Sequence, residues 1–487
     1  MSGINDAHSE SVGARSEGAG EEAISEQKAL TTTSEENQNS CAKRKIDGEF
    51  DEHVLSSKRP DLVIGDQQIA KENKERASSS KTPHKIFALD TYCWDIILSY
   101  LSLSDKIKLA ASNPHLTKLY ETLQHRYSRI TEIDSASIDG TELAHLLEIV
   151  NEYVISYEST LDLQSTDEQN LWLLRTYCPK VQHLKMTFRR PRWHDLKELK
   201  SLTSLHVQLN FGRAETYKDF ILTLMELTLL KKLNLEAPAY KGDGLHVLEN
   251  LESLEIGARP GFDGDCLAIC CMKLKKLRYL NIGKYIDNLT EENFKVIVKN
   301  CHNLERFSFG DQLLDLVPYE IVCQLPKLKH VQLWHSDNLR PHFIEGLINK
   351  PGTPLESLIL VGFELRVEQV DHICEIASLQ ELRIACENAS LKGLMNLKNL
   401  KILDLNMPDL TNNQLLALLE GLPLLTVLGV RKCKLITSEF VSQATRLYNC
   451  RKIKIYLQVS ANDWHKLRIS NDSKSLQFQR GYLSYPY

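Results

Sequence analysis

No run of 18 apolar residues occurs in the 487-residue chain, and its opening, MSGINDAHSE, has no basic segment followed by an apolar one. The first absence argues against a helical membrane span and the second against a secretory signal, so nucleus and cytoplasm are the expected compartments. Cysteine is sparse, twelve in all, and dispersed. Cys266, Cys270 and Cys271 form the one cluster, with no second ligand pair at zinc-site spacing, so reduced structural thiols and no metal are expected. Nor is there a glycine-rich phosphate loop, a G-x-S-x-G elbow or a pair of histidines at metal spacing. No cofactor and no catalytic residue are therefore expected, and a cysteine hydrolase is the least favoured class.

Aromatic residues are nearly absent from residues 1–84, which are rich in Ser, Glu, Gly and Lys. Such a stretch cannot bury enough surface to offset its ordering entropy, so a disordered tail is expected there. The tail holds 16 acidic and 11 basic residues, which accounts for the whole net charge of −5 and leaves 48 of each sign in the rest. A neutral body argues against nucleic acid as a partner, since phosphate binding needs a basic face. Within the tail, Lys43-Arg44-Lys45 and Lys58-Arg59-Pro60 resemble a bipartite nuclear localisation signal. Thr82-Pro83-His84-Lys85 resembles a proline-directed kinase site, with Thr82 as the phosphate acceptor.

The larger part of the chain is one repeated unit. An L-x-x-L-x-L pattern recurs with its third apolar position at Met186, Val207, Leu235, Ile256, Ile282, Phe309, Leu333, Leu360, Ile384, Leu405, Val430 and Ile455. Intervals of 21 to 28 residues are those of leucine-rich repeats. In Leu397-Lys-Asn-Leu400-Lys-Ile-Leu403-Asp-Leu405, the inward set Leu400, Leu403 and Leu405 leaves Lys401, Asp404 and Asn406 outward, as a short strand requires. Thr290 then caps a helix whose buried face is Phe294, Ile297 and Val298. Such units expose an apolar side alone and gain stability by stacking, which predicts an α/β solenoid. Its parallel sheet is expected on the concave side of a horseshoe and its helices on the convex side. Cys178, Cys301 and Cys450 fall at recurring places in the unit, which is similar to the cysteine-containing repeat type. First strands are expected at Ile130–Ile133 and Leu161–Leu163, around a helix carrying Leu143, Leu146, Leu147 and Val150.

Between tail and repeats lies Ile86 to Leu123, which predicts three short helices. The first starts at Asp90 or Thr91 and runs to about Leu101, with Trp94, Ile97, Leu98 and Leu101 on one face. Tyr92, Cys93, Ile96 and Tyr100 lie off that face, so the helix is apolar nearly all round and needs cover on more than one side. Ser104-Asp105 signals a second helix with Ile107, Leu109 and Ala110, and Pro114 opens a third with Leu116, Leu119, Tyr120 and Leu123. Without further information this is a cap for the repeat array.

The residues of this stretch resemble an F-box: Leu89, Cys93-Trp94, Ile97 to Leu101, Asp105 and Leu109-Ala110. The family opens with Leu-Pro where this chain has Leu89-Asp90. The resemblance covers about 40 of the 487 residues and implies a substrate receptor of SCF-type cullin-RING ubiquitin ligases. It further implies that Leu89, Asp90, Trp94, Ile97, Leu98, Leu101 and Leu109 bind the small adaptor subunit and, through it, a cullin. The resulting division is a tail at 1–84, an F-box at 85–128, repeats at 129–470 and a C-terminal tail at 471–487.

Substrate candidates are the outward strand positions, among them His206, Asn234, Glu236, Asn281, Gln332, Trp334, Arg383, Asp404, Asn406, Arg431, Lys454 and Tyr456. Trp334 leads, with Arg383 and Arg431 as a rim, because aromatic and arginine side chains dominate binding hot spots; Asp404 and Tyr456 complete the set. The loop FRRPRW, Phe188 to Trp193, combines basic and aromatic residues that suit nucleic acid or an acidic peptide; on a neutral body it reads first as a structural connection. In the last segment Phe478, Tyr482 and Tyr485 are expected to pack on the horseshoe. The alternative to a ligase receptor is a nuclear leucine-rich-repeat scaffold or inhibitor without ligase assembly. In both readings the partner is a protein, and the sequence does not name it.

Overall fold

The computed structural model describes residues 89–481 except 113–116, 160–166, 211–213, 258–260, 285, 311–316, 336–338, 387, 449–450, 459–465 and 468–475. Lys43, Arg44, Lys45, Lys58, Arg59, Thr82, Tyr482 and Tyr485 therefore lie outside the described residues, as do Pro114 and Leu161–Leu163.

Three short helices open the described chain: α1 (Thr91–Ser99), α2 (Leu103–Ser112) and α3 (Thr117–Arg126). Asp90 caps α1 by accepting from the Cys93 N–H at 2.8 Å. The second cap differs from expectation: Ser102 Oγ accepts the Asp105 N–H at 3.1 Å and donates to Asp105 Oδ2 at 2.7 Å. The helix thus begins at Leu103, and Ser104-Asp105 form its first turn. A two-residue strand β1 (Arg129–Ile130) follows, but residues 132–136 form a helix, α4 (Glu132–Ala136), rather than more strand. Thr131 and Asp134 cap each other there and favour the helix. Next come α5 (Gly140–Val150), which buries Leu143, Leu146, Leu147 and Val150 as expected, and β2 (Ser156–Ser159).

From α6 (Asp167–Tyr177) and β3 (His183–Phe188) the repeat is regular. The strands are β4 (Ser204–Leu209), β5 (Lys232–Glu236), β6 (Ser253–Ile256), β8 (Tyr279–Asn281), β10 (Arg306–Gly310), β11 (His330–His335), β12 (Ser357–Gly362), β13 (Glu381–Ala385), β14 (Ile402–Asn406), β15 (Val427–Arg431), β16 (Ile453–Gln458) and β17 (Leu476–Arg480). With β1 to β3 they make one parallel 15-stranded sheet in chain order, while β7 (Phe262–Asp263) and β9 (Ile286–Asp287) pair apart from it. Helices return on the other side, among them α7 (Ala214–Met225), α8 (Gly264–Lys273) and α9 (Glu291–Asn300). Thr290 starts α9 in a capping box with Asn293, and Phe294 and Ile297 are buried. This body is a leucine-rich-repeat solenoid.

Strand alternation sends one set of side chains into a core that continues without break from Trp94 to Phe478. The register aligns Leu184, Leu205, Leu233, Leu254, Leu280, Phe307, Val331, Leu358, Leu382, Leu403, Leu428, Ile455 and Phe478 in one inward row. Ile455 therefore belongs to this row and not to that of Val430, whose partner is Leu457. Both registers are apolar in Ile-Lys-Ile-Tyr-Leu, so the pattern alone cannot separate them. The last strand also moves a boundary. Leu476–Arg480 pairs with β16, and Phe478 packs edge-on to Phe440 at 6.3 Å, so the repeat sheet continues past residue 470.

A second row binds the repeats at the rim, just before each strand. Lys231, Glu252, Arg278, Glu305, Lys329 and Glu356 follow one another on successive repeats, each N–H donating to the carbonyl of the residue before. Their charges alternate. Lys231 Nζ lies 2.9 Å from Glu252, Arg278 makes two bonds of 3.0 Å to Glu305, and Lys329 Nζ lies 3.2 Å from Glu356. The Arg278 hydrogen bonds hold the Glu305 carboxyl below its usual range, and Lys329 beyond adds to the effect, so the pairs act as one ladder.

Candidate functional site

Two surfaces compete for function, the first of them on α1. Trp94 and Leu98 are buried in the module's own core, and Leu89, Ile97, Leu101 and Leu109 pack partly against it. The opposite side of the helix presents Tyr92, Ile96 and Tyr100 at 72, 43 and 84% exposure. The implied adaptor set thus divides. Trp94 and Leu98 have no surface to give a partner, and the side chains that do were legible only as the surplus apolar positions of the helix. Beside this stripe, between α1 and α3, an open cleft of about 310 Å³ is lined by Thr91, Asp95, Glu121, Thr122, His125 and Arg126.

The module is held to the stack by polar links. Ser104 Oγ donates to Glu142, Lys108 Nζ lies 3.2 Å from the same carboxylate, and Gln124 Nε2 donates to the Ile149 carbonyl at 3.0 Å. Between α2 and the stack, Lys106 is buried with its Nζ 3.4 Å from the Tyr127 hydroxyl. Burial pulls its pKa down.

The second surface is the open face of the sheet. Its middle outward row reads Lys185, His206, Asn234, Glu255, Asn281, Ser308, Gln332, Ile359, Arg383, Asp404, Gly429 and Tyr456. From β3 to β6 these side chains are half-buried, but from Asn281 to Asp404 they are buried. Parallel strands at about 4.8 Å bring flanking side chains into contact, and here those contacts close over the row. Arg383 is buried with Nε donating to Glu381 at 2.7 Å, and Asp404 has no exposed surface. Burial thus removes both from the accessible substrate contacts expected of outward strand positions. Arg431 Nε donates to Asp404 Oδ1 at 3.2 Å, while a second guanidinium nitrogen lies 3.1 Å from Oδ2, outside hydrogen-bond alignment. Burial pushes the Asp404 carboxyl above its usual range against the pull of Arg431 and Arg383. Trp334, Arg431 and Tyr456 are half-buried. Trp334 sits between Gly310 and Val361, and the missing side chain of Gly310 makes room for it.

Further toward the N-terminus, His206 lies 3.5 Å from Glu236, and Asn281 donates to Glu255 at 3.1 Å. Burial raises the Glu255 carboxyl. Among the described residues no group of three His, Cys, Asp or Glu is placed to hold a metal ion, and no helix is long and apolar enough to cross a membrane. Burial pushes the thiols of Cys178, Cys270 and Cys323 up to about 12, as expected of packing residues.

No family model matches the chain, and no curated protein matches it. Solved structures do. A chain from the crystal structure of the yeast Rad7 and Elc1 complex aligns with TM-score 0.44 and 15% identity, over 77% of this chain and 95% of that one. An internalin (InlF) from Listeria monocytogenes aligns with TM-score 0.37 and 14% identity, over 72% and 90%. At these scores neither likeness carries a functional argument, and the reading of function rests on the residues above.

Proposed function

We propose that this chain is the substrate-recognition subunit of an SCF-type cullin-RING ubiquitin ligase, a non-catalytic part that promotes ubiquitination and degradation of a bound protein. The observation that supports this most is the exposed stripe Tyr92, Ile96 and Tyr100, on a three-helix module with F-box resemblance at the head of a repeat stack. In this reading the small adaptor covers the stripe, the cullin follows through the adaptor, and the open sheet face with its rims holds the substrate. Its contribution is proximity, raising the effective concentration of substrate lysines near a charged conjugating enzyme. The protein works in nucleus and cytoplasm and needs no cofactor.

A second reading, a scaffold whose three helices are only a cap, draws on the inward Trp94 and Leu98 and the links to Glu142. Co-purification of adaptor and cullin with wild type and with a Tyr92→Asp, Ile96→Asp variant separates the two. Capture by wild type and loss in the variant is the expected result. Capture by neither overturns the ligase reading in favour of the scaffold.

A further inference from the structure

The loop FRRPRW divides into two parts once folded. Phe188 and Trp193, at its ends, are buried: their rings meet edge-on at 6.3 Å, and Trp193 meets Phe220 at 5.1 Å. The three arginines between them, Arg189, Arg190 and Arg192, all reach solvent, with His194 exposed beside them. Arg189 and Arg192 also engage neighbours within the chain while keeping that exposure.

The display is stiff. Pro191 fixes its own φ and holds Arg190 extended, the Arg192 N–H donates to the Arg190 carbonyl at 2.8 Å, and the Asn210 N–H donates to Phe188 O at 2.8 Å. The backbone that carries three guanidinium groups within four residues thus has little left to order on binding. The corresponding connection after β5, Ala237-Pro238-Ala239-Tyr240, carries no charge.

We propose that the Arg189–Arg192 loop is a protein-binding site for a carboxylate-rich segment, a run of Asp and Glu in the protein captured on the neighbouring open face. Guanidinium forks match carboxylates bidentately. A nucleic acid would need a basic track across many repeats, and the body outside residues 1–84 has 48 charges of each sign. That the segment belongs to a ligase substrate rests on the proposed function; the site itself does not.

The test uses the full chain and a fluorescein-labelled poly-Glu peptide, read by anisotropy, with poly-Gln, phosphoserine and single-stranded RNA oligomers as comparisons. Wild type is expected to bind poly-Glu and not poly-Gln, with affinity falling as salt rises. Charge reversal at Arg189, Arg190 and Arg192 should weaken binding at least about tenfold, while Lys299→Glu on the helical side changes nothing. If the triple variant melts early, Arg190→Glu replaces it. Equal binding by the reversed loop, or binding only of the phosphoserine peptide or the RNA, overturns the proposal. Adaptor capture is measured on the same variants, so its absence sinks the ligase reading without touching this site.

Discussion

Asp404 and Arg431 meet across the open sheet face because Gly429, directly opposite Asp404 on the next strand, has no side chain to stand between them. The fully buried carboxylate depends on that diagonal contact. Arg431→Ala leaves it with Arg383 alone, at a cost of about 3 kcal/mol at neutral pH, measured by denaturant unfolding. The pH dependence has a definite sign. The folded Asp404 carboxyl is raised, so its contribution is fully present below the ordinary aspartate value and is lost as pH rises through the raised one. Removing Arg431 raises it further, and the deficit of the variant should be smallest near pH 4 and grow toward pH 7.

Trp94, buried on α1, and Tyr100, exposed at its C-terminal cap, predict different outcomes. Trp94→Ala opens a cavity between α1 and the core and should destabilise the module by about 3–5 kcal/mol. Tyr100→Ala, at an 84% exposed site, should leave thermal stability unchanged and reduce adaptor capture alone. Equal stability loss in both would mean that the stripe is covered within the chain.

Gly310 is required by its neighbour. A β-carbon there would stand 2.5 Å from Trp334 Cβ and 2.7 Å from its carbonyl oxygen. Gly310→Ala should therefore cost about 1–3 kcal/mol, with a shift in Trp334 fluorescence, because backbone and Cβ cannot rotate away.

The rim ladder predicts an unusual charge-swap result. Arg278→Glu places like charges beside Glu252 and Glu305 and should lower the melting temperature at low salt, with the gap closing as salt is added. For an isolated pair, adding Glu305→Arg would restore stability. In the ladder the swapped residues face Glu252 on one side and Lys329 on the other, so the double variant should remain less stable than wild type.

Much of this fold is legible in the chain, and what is not has identifiable causes. Spacing alone places the strands from Met186 to Val430, since one slip would turn Leu403 and Leu405 to solvent. It fails at Ile455, where two registers bury equal apolar surface, and at Leu476–Arg480, whose short Leu-Gln-Phe-Gln-Arg alternation is the signal that was there to find. The excess apolar surface of α1 is equally legible, while its division into an inward Trp94 and an outward Tyr100 depends on where α3 packs. Closure over Arg383 and Asp404 is not legible: an outward polar residue has the same letter whether solvated or buried among its neighbours.

The alternation of Lys231, Glu252, Arg278, Glu305, Lys329 and Glu356 gives this stretch of the solenoid a parity. Excising the repeat that carries Glu305 would set Arg278 against Lys329, while excising that repeat with the next would set Arg278 against Glu356 and keep the order of signs. Along these six rungs the array can lengthen or shorten in pairs without frustration and in single steps only against repulsion, so its unit of change is two repeats although its unit of structure is one.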